Sequence, residues 1–514
     1  MKKKTITTKL KQDINNFLKE FKVKSSKSLP KVKIDKIFDF IYWLIWWQEC
    51  FLNSIFQNTK HYQWKQTDFS NWKREKPLKK GSGIEKLSSY LLFNLKKFKQ
   101  AYFSKLNREI TNTKSFNDLK WLSLKERVFE QVIRVHDTTD IQKPHAKKME
   151  WVWKARNWSE HIPWKWYYAE WTIIYYKNKI HPFIFNLFSP NNKKYIKWDN
   201  KAADSKEVSK ENMKEWLKIC MFLKVAIDIF DRWYDVFEFM KDLIQSWITF
   251  IIRWKKTASV IDIEYFHKIV WKLDTQMERD SIWSRTDDIA KDLDYVSHKD
   301  YKWFEVWFKK VYKKGPNFKK DKSDILPITL VSARITNEKV KWINEDLDTE
   351  SENSNEKNER EIYFFTNLDI ETSDDAMVVF WLYLKRRSIE TWFRYLKQVF
   401  KLEKIRLWKF IKLKNLCNLL VFASAYFYDR FYWINGVKEN IEWSFEDKLS
   451  DNIQEKDLKN KDFNSFILSY YVQFCIQKGI KITVDSYTKF INYEIGDTIL
   501  YSDDFDVHKY FSSW

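Results

Sequence analysis

The sequence contains very little glycine and very little cysteine. Only 6 of the 514 residues are glycine, although an ordinary protein has about 7% glycine, or roughly 36 residues in a chain of this length. The cysteines, Cys50, Cys220, Cys417 and Cys475, are far apart and form no Cys-x-x-Cys pair. This spacing argues against a zinc site and against a disulfide framework, and it fits a reducing cytoplasm.

Long hydrophobic segments are also missing from the sequence. The longest uninterrupted apolar run extends from Phe40 to Trp47, far below the roughly 20 residues that a membrane-spanning helix needs. The first ten residues, MKKKTITTKL, lack the apolar segment of a secretory signal. We therefore expect a cytoplasmic protein that does not associate with a membrane.

Tryptophan is as abundant as glycine is rare, with 28 residues. The combined number of tryptophan and glycine residues is close to the number of glycines in an ordinary chain of this length. Several tryptophans, among them Trp151, Trp153, Trp164 and Trp166, stand in turn-like, polar surroundings that suit glycine. Because some bacterial lineages read the UGA codon as glycine, we hypothesise that many of these positions are glycine in the cell. The alternative is a genuinely tryptophan-rich binder of carbohydrate or of a membrane interface.

The charge balance is strongly basic. The chain has 92 Lys and Arg residues against 70 Asp and Glu residues, a formal net charge of +22. Such an excess indicates a polyanionic partner, and nucleic acid is the commonest one. Solubility, or the lysine bias of an AT-rich genome, is the alternative explanation.

The length predicts roughly three or four folding units, and the patterns of apolar residues and charge divide the chain into five regions. They are a helical, basic region expected to bind DNA ends (1–125), the first part of an α/β core (126–255), a β-rich insertion with an acidic, disordered loop at about 344–361 (256–375), the C-terminal helices of the core (376–430) and a helical region of open role (431–514).

Two predicted strands in the core each end in an acidic residue. The first strand is followed by His136-Asp137-Thr138-Thr139-Asp140, and the second, Val225 to Phe230, is followed by Asp231-Arg232-Trp233-Tyr234-Asp235. A carboxylate at such a position is costly to desolvate without a partner. A divalent cation is a natural partner, since Mg²⁺ binds one or two carboxylates together with phosphate oxygens.

A third motif lies between Tyr383 and Lys397, which we place on one continuous helix. At about 100° per residue, a face about 80° wide carries Tyr383, Arg386, Glu390, Arg394 and Lys397. The adjacent stripe is apolar and consists of Ile389, Phe393, Leu396 and Phe400. The apolar stripe can anchor the helix in the core while the charged stripe beside it presents a site. The alternative, which an isolated helix of this kind would favour, is that the charged stripe forms ion pairs in solvent.

Taken together, these motifs resemble those of the insertion sequence four family of DDE transposases. The family signature Y-x2-R-x3-E-x6-K matches Tyr383, Arg386, Glu390 and Lys397 at every spacing. A D-[TS]-T motif begins at Asp137, and a D-R-G-Y-D motif begins at Asp231 with Trp233 in place of glycine. The run Lys147-Lys148-Met149-Glu150-Trp151 is similar to the family's K-K-M-E-G. The resemblance covers about residues 128–425.

The resemblance implies an α/β fold with an RNase H-like catalytic core that a β-rich insertion interrupts. It implies a DNA transposase that cuts terminal inverted repeats and joins the freed 3′-hydroxyls to target DNA. Asp137, Asp231 and Glu390 would be the catalytic carboxylates that bind two Mg²⁺ ions, with Mn²⁺ as a substitute. Tyr383, Arg386 and Lys397 would hold DNA at a 5′ phosphate, with Arg394 on the same face. A homodimer acting at the nucleoid is the expected assembly.

Other polar residues near these motifs are rivals for the same roles. Asp140, Asp228 and Asp235 are close to the chosen aspartates, and we expect Asp140 and Asp235 to cap or orient them. His136 and His145 are interpreted as ordinary polar surface, because two-metal chemistry needs no histidine base. A glycine at position 233 would permit a tight bend, whereas an indole is expected to crowd Asp231.

The main alternative is a non-catalytic protein. A dead or domesticated copy of such a transposase would bind the repeats without cutting them. The presence of all three acids and of the full helical signature favours the enzyme.

Overall fold

The computed structural model describes the chain in separate stretches. They are residues 14–23, 95–110, 113–143, 149–150, 153–156, 163–177, 179–189, 205–217, 225–254, 259–270, 282–285, 296–298, 301–318, 320–335, 360–398, 402–405 and 409–431, with positions 34, 35, 37, 38, 40, 41, 44 and 407. Almost all of the expected acidic loop and of the region 431–514 lies outside the described residues. Among the helices described, none is long and apolar enough to cross a bilayer.

The described part of the chain contains both strands and helices. The strands are β1 (Ile133–Gln142), β2 (Trp153–Arg156), β3 (Pro163–Tyr176), β4 (Lys179–Phe188), β5 (Ile227–Phe230), β6 (Thr249–Trp254), β7 (Ser259–Asp262), β8 (Ser284–Arg285), β9 (Val296–His298), β10 (Tyr301–Lys314), β11 (Ile325–Ile335) and β12 (Arg360–Thr366). The α-helices are α1 (Lys96–Glu109), α2 (Leu124–Glu130), α3 (Ser205–Leu217), α4 (Phe237–Gln245), α5 (Ile263–Ile269), α6 (Ser373–Leu384), α7 (Arg387–Gln398) and α8 (Phe410–Phe431). A further helical segment covers residues 14–20.

The strands form one mixed sheet. Its order is β2-β3-β1-β5-β6-β12-β11-β10-β7-β8, with β4 beside β3 and β9 beside β10. Strand β1 is antiparallel to β3 but parallel to β5, and β5 is parallel to β6. Parallel neighbours need a crossover connection, and α4 lies in the crossover between β5 and β6. The chain therefore has the mixed α/β class that its sequence predicts.

The region expected to be a β-rich insertion contains β7 to β12 and the short helix α5. Its last strand, β12, pairs antiparallel with β6, where Phe365 is opposite Ile252. The sheet is therefore continuous across the expected boundary near residue 255, and the strands of the insertion extend the sheet of the core.

The alternation of side chains along each strand separates two hydrophobic cores, one on each face of the sheet. Val135 and Ile229 are buried on the face that packs against α6, α7 and α8. Phe230 and Phe250 are buried on the opposite face, together with the apolar residues of α4. Successive residues of β1 and β5 therefore point to different surroundings.

The N-terminal helical segments pack against the last described helix. Phe17 in the segment 14–20 contacts Tyr426 of α8, with 5.4 Å between the ring centroids. Tyr102 of α1 contacts Phe422 of α8 at 5.6 Å and donates a hydrogen bond to the carbonyl of Pro182 at 2.6 Å. The helical character predicted for residues 1–125 holds for the described part of this region, which forms one layer of the core.

A buried charge cluster joins the parallel strands β1 and β5. Arg134 and Asp228 are directly opposite one another, and Arg134 Nε donates to Asp228 Oδ1 at 2.6 Å. His136 Nε2 is 2.6 Å from the same oxygen. Burial alone would raise the pKa of Asp228, but the Arg134 guanidinium and the bond to His136 hold it below its ordinary value. The carboxylate is therefore ionised and paired inside the sheet.

Replacing Asp228 by Asn should destabilise the protein strongly. Removal of one partner of a buried ion pair typically costs about 3–5 kcal/mol, because it leaves an uncompensated buried charge, here on Arg134. The free energy of unfolding, measured by chemical denaturation, should fall by this amount.

Asp369→Asn is the matched control for this change. Asp369 pairs with Lys310 at 3.1 Å, but both side chains are largely exposed, and such pairs contribute about 0–1 kcal/mol. Equal losses in the two variants would contradict the role assigned to the buried cluster.

Trp247 occupies a position that suits glycine. It follows α4 with a φ of 58° and is 90% exposed. The Trp247 N–H donates to the Ile244 carbonyl at 3.0 Å, and the Ile248 N–H donates to the Leu243 carbonyl at 2.9 Å. This is the hydrogen-bond pattern of a Schellman motif, whose left-handed residue is usually glycine. The geometry therefore supports glycine at position 247 in the cell.

The hypothesis that tryptophan positions are glycine in the cell does not suit every tryptophan equally. Trp171 and Trp392 are buried and contact one another, with 4.5 Å between the ring centroids. Each fills core volume, although neither indole nitrogen has a hydrogen-bond partner among the described residues. Tryptophan therefore suits these two core positions, whereas the positive φ of position 247 suits glycine.

Replacing Trp247 by Gly should stabilise the protein. A left-handed residue that carries a Cβ atom costs about 1–2 kcal/mol, whereas the extra entropy of glycine in the unfolded chain offsets about 0.5–1 kcal/mol. We expect the free energy of unfolding to rise by about 1 kcal/mol in chemical denaturation. The native peptide that contains this position should have the mass of a glycine peptide.

Trp121→Gly is the control, because Trp121 is also exposed, at 73%, and is not among the described residues with positive φ. This variant should gain no stability. A loss of stability in Trp247→Gly, together with a tryptophan mass in the native peptide, would refute the hypothesis for this position.

Candidate active site

The register of the sheet places Asp137 and Asp231 side by side. Val135 and Ile229 are directly opposite in the parallel pair of β1 and β5, and each aspartate lies two residues further along its own strand. Because side chains alternate, both aspartates continue the face of these two buried residues. Asp231 directly follows β5, as predicted.

The prediction that Asp137 ends its strand is wrong. Strand β1 continues to Gln142, and Asp137 is opposite Trp171 of β3. The extra length arises because β3 has 14 residues and continues to pair with β1 beyond the point where β5 stops. Asp137 is thus paired with β3 on one side of β1, whereas the pairing with β5 on the other side ends at Val135.

The signature from Tyr383 to Lys397 lies on two helices and not on the single continuous helix that we predicted. Helix α6 ends at Leu384 and α7 begins at Arg387. At the break, the Arg386 N–H donates to the Tyr383 carbonyl at 2.8 Å. A bond over three residues tightens the turn relative to an α-helix, so the angles of a regular helix do not hold across Arg386.

The Arg386 guanidinium brings the three predicted carboxylates together. Its Nη2 atom lies 3.1 Å from Asp137 Oδ2 and 3.4 Å from Asp231 Oδ2. Its Nη1 atom donates to Glu390 Oε1 at 2.5 Å. Glu390 also lies in the first turn of α7, where the positive end of the helix dipole favours a carboxylate. Acids from three separate segments of the chain therefore meet at one cation.

The surroundings of the cluster alter the pKa of Asp137. Burial, together with the neighbouring Asp231 and Glu390 carboxylates, raises the pKa of Asp137 to about 7, although the Arg386 guanidinium and the Thr138 N–H act in the opposite direction. The three carboxylates of the cluster share one guanidinium.

The other residues of the signature have different surroundings. Tyr383 is buried beside the cluster, and its hydroxyl has no hydrogen-bond partner among the described residues. Lys397 Nζ lies 3.8 Å from Asp140 Oδ1 and 3.6 Å from Glu403 Oε1. The side chain of Arg394 lies outside the described residues, so the structure does not place this predicted DNA contact.

The rival aspartates have other partners. Asp228 belongs to the buried cluster with Arg134 on the opposite face of the sheet. Asp235 pairs with Lys313 of β10 at 3.0 Å, which ties the second motif to the insertion. Asp140 accepts a hydrogen bond from Gln142 at 3.2 Å and lies near Lys397. Each of these three carboxylates therefore has a partner other than the Arg386 guanidinium.

The prediction that His136 is polar surface is wrong. His136 is fully buried and lies 3.0 Å from Thr172 Oγ1 in addition to its contact with Asp228. Burial holds the pKa of His136 below its ordinary value. The even-numbered positions of β1 face the side of the sheet away from Asp137, so this histidine is a structural residue. His145 lies outside the described residues.

The prediction that the Trp233 indole crowds Asp231 is wrong. It belongs to the 3₁₀ turn Arg232–Tyr234, and its side chain is 73% exposed. The turn directs the indole into solvent, so Asp231 keeps its place beside Arg386.

Lys143, which no sequence pattern singled out, is a buried lysine that links the end of β1 to the segment after α7. Its Nζ atom donates to the carbonyls of Leu402, Glu403 and Ile405 at 2.7, 2.9 and 3.0 Å. The strand with Asp137 is thereby joined to the chain that follows Glu390. No local pattern indicates this role, because lysine is normally exposed.

The chemistry of the donor set fits a hard divalent cation. Carboxylate oxygens are the ligands that Mg²⁺ prefers, and the three acids converge on one positively charged group. In the described residues no His, Cys, Asp and Glu cluster has the geometry of a metal centre, and the three acids contact the Arg386 guanidinium instead. Asp137, Asp231 and Glu390 are the residues that would hold the ion.

Comparisons with known proteins add no family to these observations. No protein-family model matches the chain, and no curated protein matches it. The motifs, the fold and the geometry of the site are therefore the observations that bear on function.

Proposed function

We propose that the chain is a DDE DNA transposase similar to those of the insertion sequence four family. It would bind terminal inverted repeats, cleave the element ends and join the 3′-hydroxyls to target DNA. The observation that carries the proposal is the meeting of Asp137, Asp231 and Glu390 at Arg386. These are the three acids that the family motifs select, and they are far apart in the sequence.

The order of the strands also supports the proposal. Strands β4, β3 and β1 are successive antiparallel neighbours, and β5 and β6 continue the sheet parallel to β1. This arrangement, with a helix between β5 and β6, is compatible with the RNase H-like core that the resemblance implies. Strands β7 to β12 enter the chain between Asp231 and Glu390, where the resemblance implies an insertion.

Two Mg²⁺ ions would bind at these carboxylates, with Mn²⁺ as a substitute. In phosphoryl transfer, such ions activate the attacking oxygen and stabilise the leaving oxygen. The contribution of the protein is to hold Asp137 and Asp231 at adjacent strands and to present Glu390 from the first turn of α7.

The proposed DNA contacts follow from the chemistry of the signature. Arg386 offers a planar fork of donors that suits phosphate oxygens, and Lys397 offers a point charge. The Tyr383 hydroxyl has no partner among the described residues, and Arg394 adds a further positive charge. A homodimer that acts at the nucleoid completes the proposal, because two element ends have to be held together.

Single carboxamide variants should abolish strand cleavage. Asp137→Asn, Asp231→Asn and Glu390→Gln should each reduce cleavage more than about 100-fold, since even changes in the groups around metal ligands cost about 10–100-fold. The assay uses linear DNA that contains the sequence flanking the coding region, with Mg²⁺ or Mn²⁺. DNA binding, measured by fluorescence anisotropy, should be retained.

Asp140→Asn is the matched control, because its carboxylate lies by Lys397 and Gln142. It should retain cleavage to within about 10-fold of wild type. Undiminished cleavage by any of the three carboxamide variants would overturn the assignment. Tight binding by the wild type without metal-dependent nicking would instead favour an inactive DNA-binding relic.

The affinity for DNA should fall steeply with salt. A protein that makes about 6–10 phosphate contacts loses about 10³–10⁵-fold in affinity between 50 and 200 mM salt, because counterions are released on binding. Lys397→Ala should reduce the slope of log affinity against log salt by about one unit.

Lys177→Ala is the control for this experiment. Lys177 follows β3 at the end of the sheet away from Asp137 and pairs with Glu130, so its removal should leave the slope unchanged. A salt-independent affinity of the wild type would contradict an interface dominated by the DNA backbone.

A further inference from the structure

The two aspartate motifs are connected by a hydrogen bond on the side of the sheet opposite the carboxylates. Thr138 Oγ1 lies 2.8 Å from the Tyr234 hydroxyl. Thr138 directly follows Asp137, and Tyr234 is the third residue after Asp231. Tyr234 is buried, with 1% of its surface exposed, so water does not compete for this bond.

Each of these two residues also donates a backbone hydrogen bond to the aspartate of its own motif. The Thr138 N–H donates to Asp137 Oδ1 at 2.8 Å. The Tyr234 N–H donates to the carbonyl of Asp231 at 3.0 Å and closes the turn that Asp231 begins. The contacts therefore run without interruption from Asp137 through Thr138 and Tyr234 to Asp231.

The Tyr234 side chain is held in place from several directions. Its ring packs against Phe230 and Phe239, with 5.1 and 5.6 Å between the ring centroids. Its hydroxyl lies 3.1 Å from Ser209 Oγ of α3, and Ser209 also bonds the buried carboxylate of Glu170. Glu170 is opposite Thr138 in the pairing of β1 with β3. The bond between the motifs thus belongs to a packed polar network.

We propose that Thr138 and Tyr234 are positioning residues that set the distance between Asp137 and Asp231. Strand β5 stops at Phe230, so beyond this residue no backbone pairing of β5 with β1 holds the two acids in register. The bond between the side chains replaces that pairing. The inference rests on the proposed function, since it concerns how the two acids are held for the metal ions.

The test compares Tyr234→Phe with Tyr102→Phe. Each change removes one buried hydroxyl from a tyrosine that is 1% exposed, and the Tyr102 hydroxyl bonds the Pro182 carbonyl of β4, which β3 separates from β1. The unfolding midpoints should shift by similar amounts. Binding of Mn²⁺, followed by electron paramagnetic resonance without DNA, should weaken about 10–100-fold in Tyr234→Phe only. Cleavage at subsaturating Mg²⁺ should fall in parallel.

Variants of Thr138 test the same bond from its other end. Thr138→Ser keeps the hydroxyl and should bind Mn²⁺ like the wild type, whereas Thr138→Val should resemble Tyr234→Phe. The double variant Thr138→Val/Tyr234→Phe should bind Mn²⁺ no more weakly than Tyr234→Phe, because Tyr234→Phe already removes the bond to Thr138.

The outcomes separate this inference from the proposed function. If the wild-type protein binds Mn²⁺ and cleaves DNA, and Tyr234→Phe gives the same results as Tyr102→Phe in both assays, the inference alone is overturned. A wild-type protein that neither binds Mn²⁺ nor cleaves would overturn the proposed function and the inference with it.

Discussion

The site depends on the parallel register of β1 and β5. The pairing of Val135 with Ile229 fixes which residues continue on the same face of the sheet, and the buried pair of Arg134 and Asp228 holds that register from the other face. A shift by one residue would move every side chain to the opposite face, so that Asp137 would exchange places with His136 or Thr138. The cost of separating a buried charged pair makes such a shift unfavourable.

The second constraint is the compensation of charge. Three carboxylates that approach one another in a half-buried site need positive charge nearby, and Arg386 provides it from the break between α6 and α7. The same break directs Glu390 toward the strands at the start of a new helix. The residue that is predicted to bind phosphate therefore also holds the acids together in the structure.

Much of the site follows from local patterns in the sequence. The choice of Asp137, Asp231 and Glu390 rests on the motif positions, and the structure brings these three side chains to one guanidinium. The class of the fold follows from the alternation of strand and helix patterns. The prediction of one helix over the signature failed, because helical periodicity does not detect a single tightened turn at Arg386. The prediction for His136 failed because a polar residue beside a motif gives no sign of its burial.

The sequence by itself determined the class of the fold, the three acidic motifs and the shortage of glycine. These properties depend on spacing and composition, which are local. Only the tertiary structure decided which partners each charge has: Arg134 for Asp228, Lys313 for Asp235 and Arg386 for the three site carboxylates. Ion pairs depend on distances of a few ångströms between segments that are remote in the chain. Those distances arise from strand order and register, which no single segment encodes.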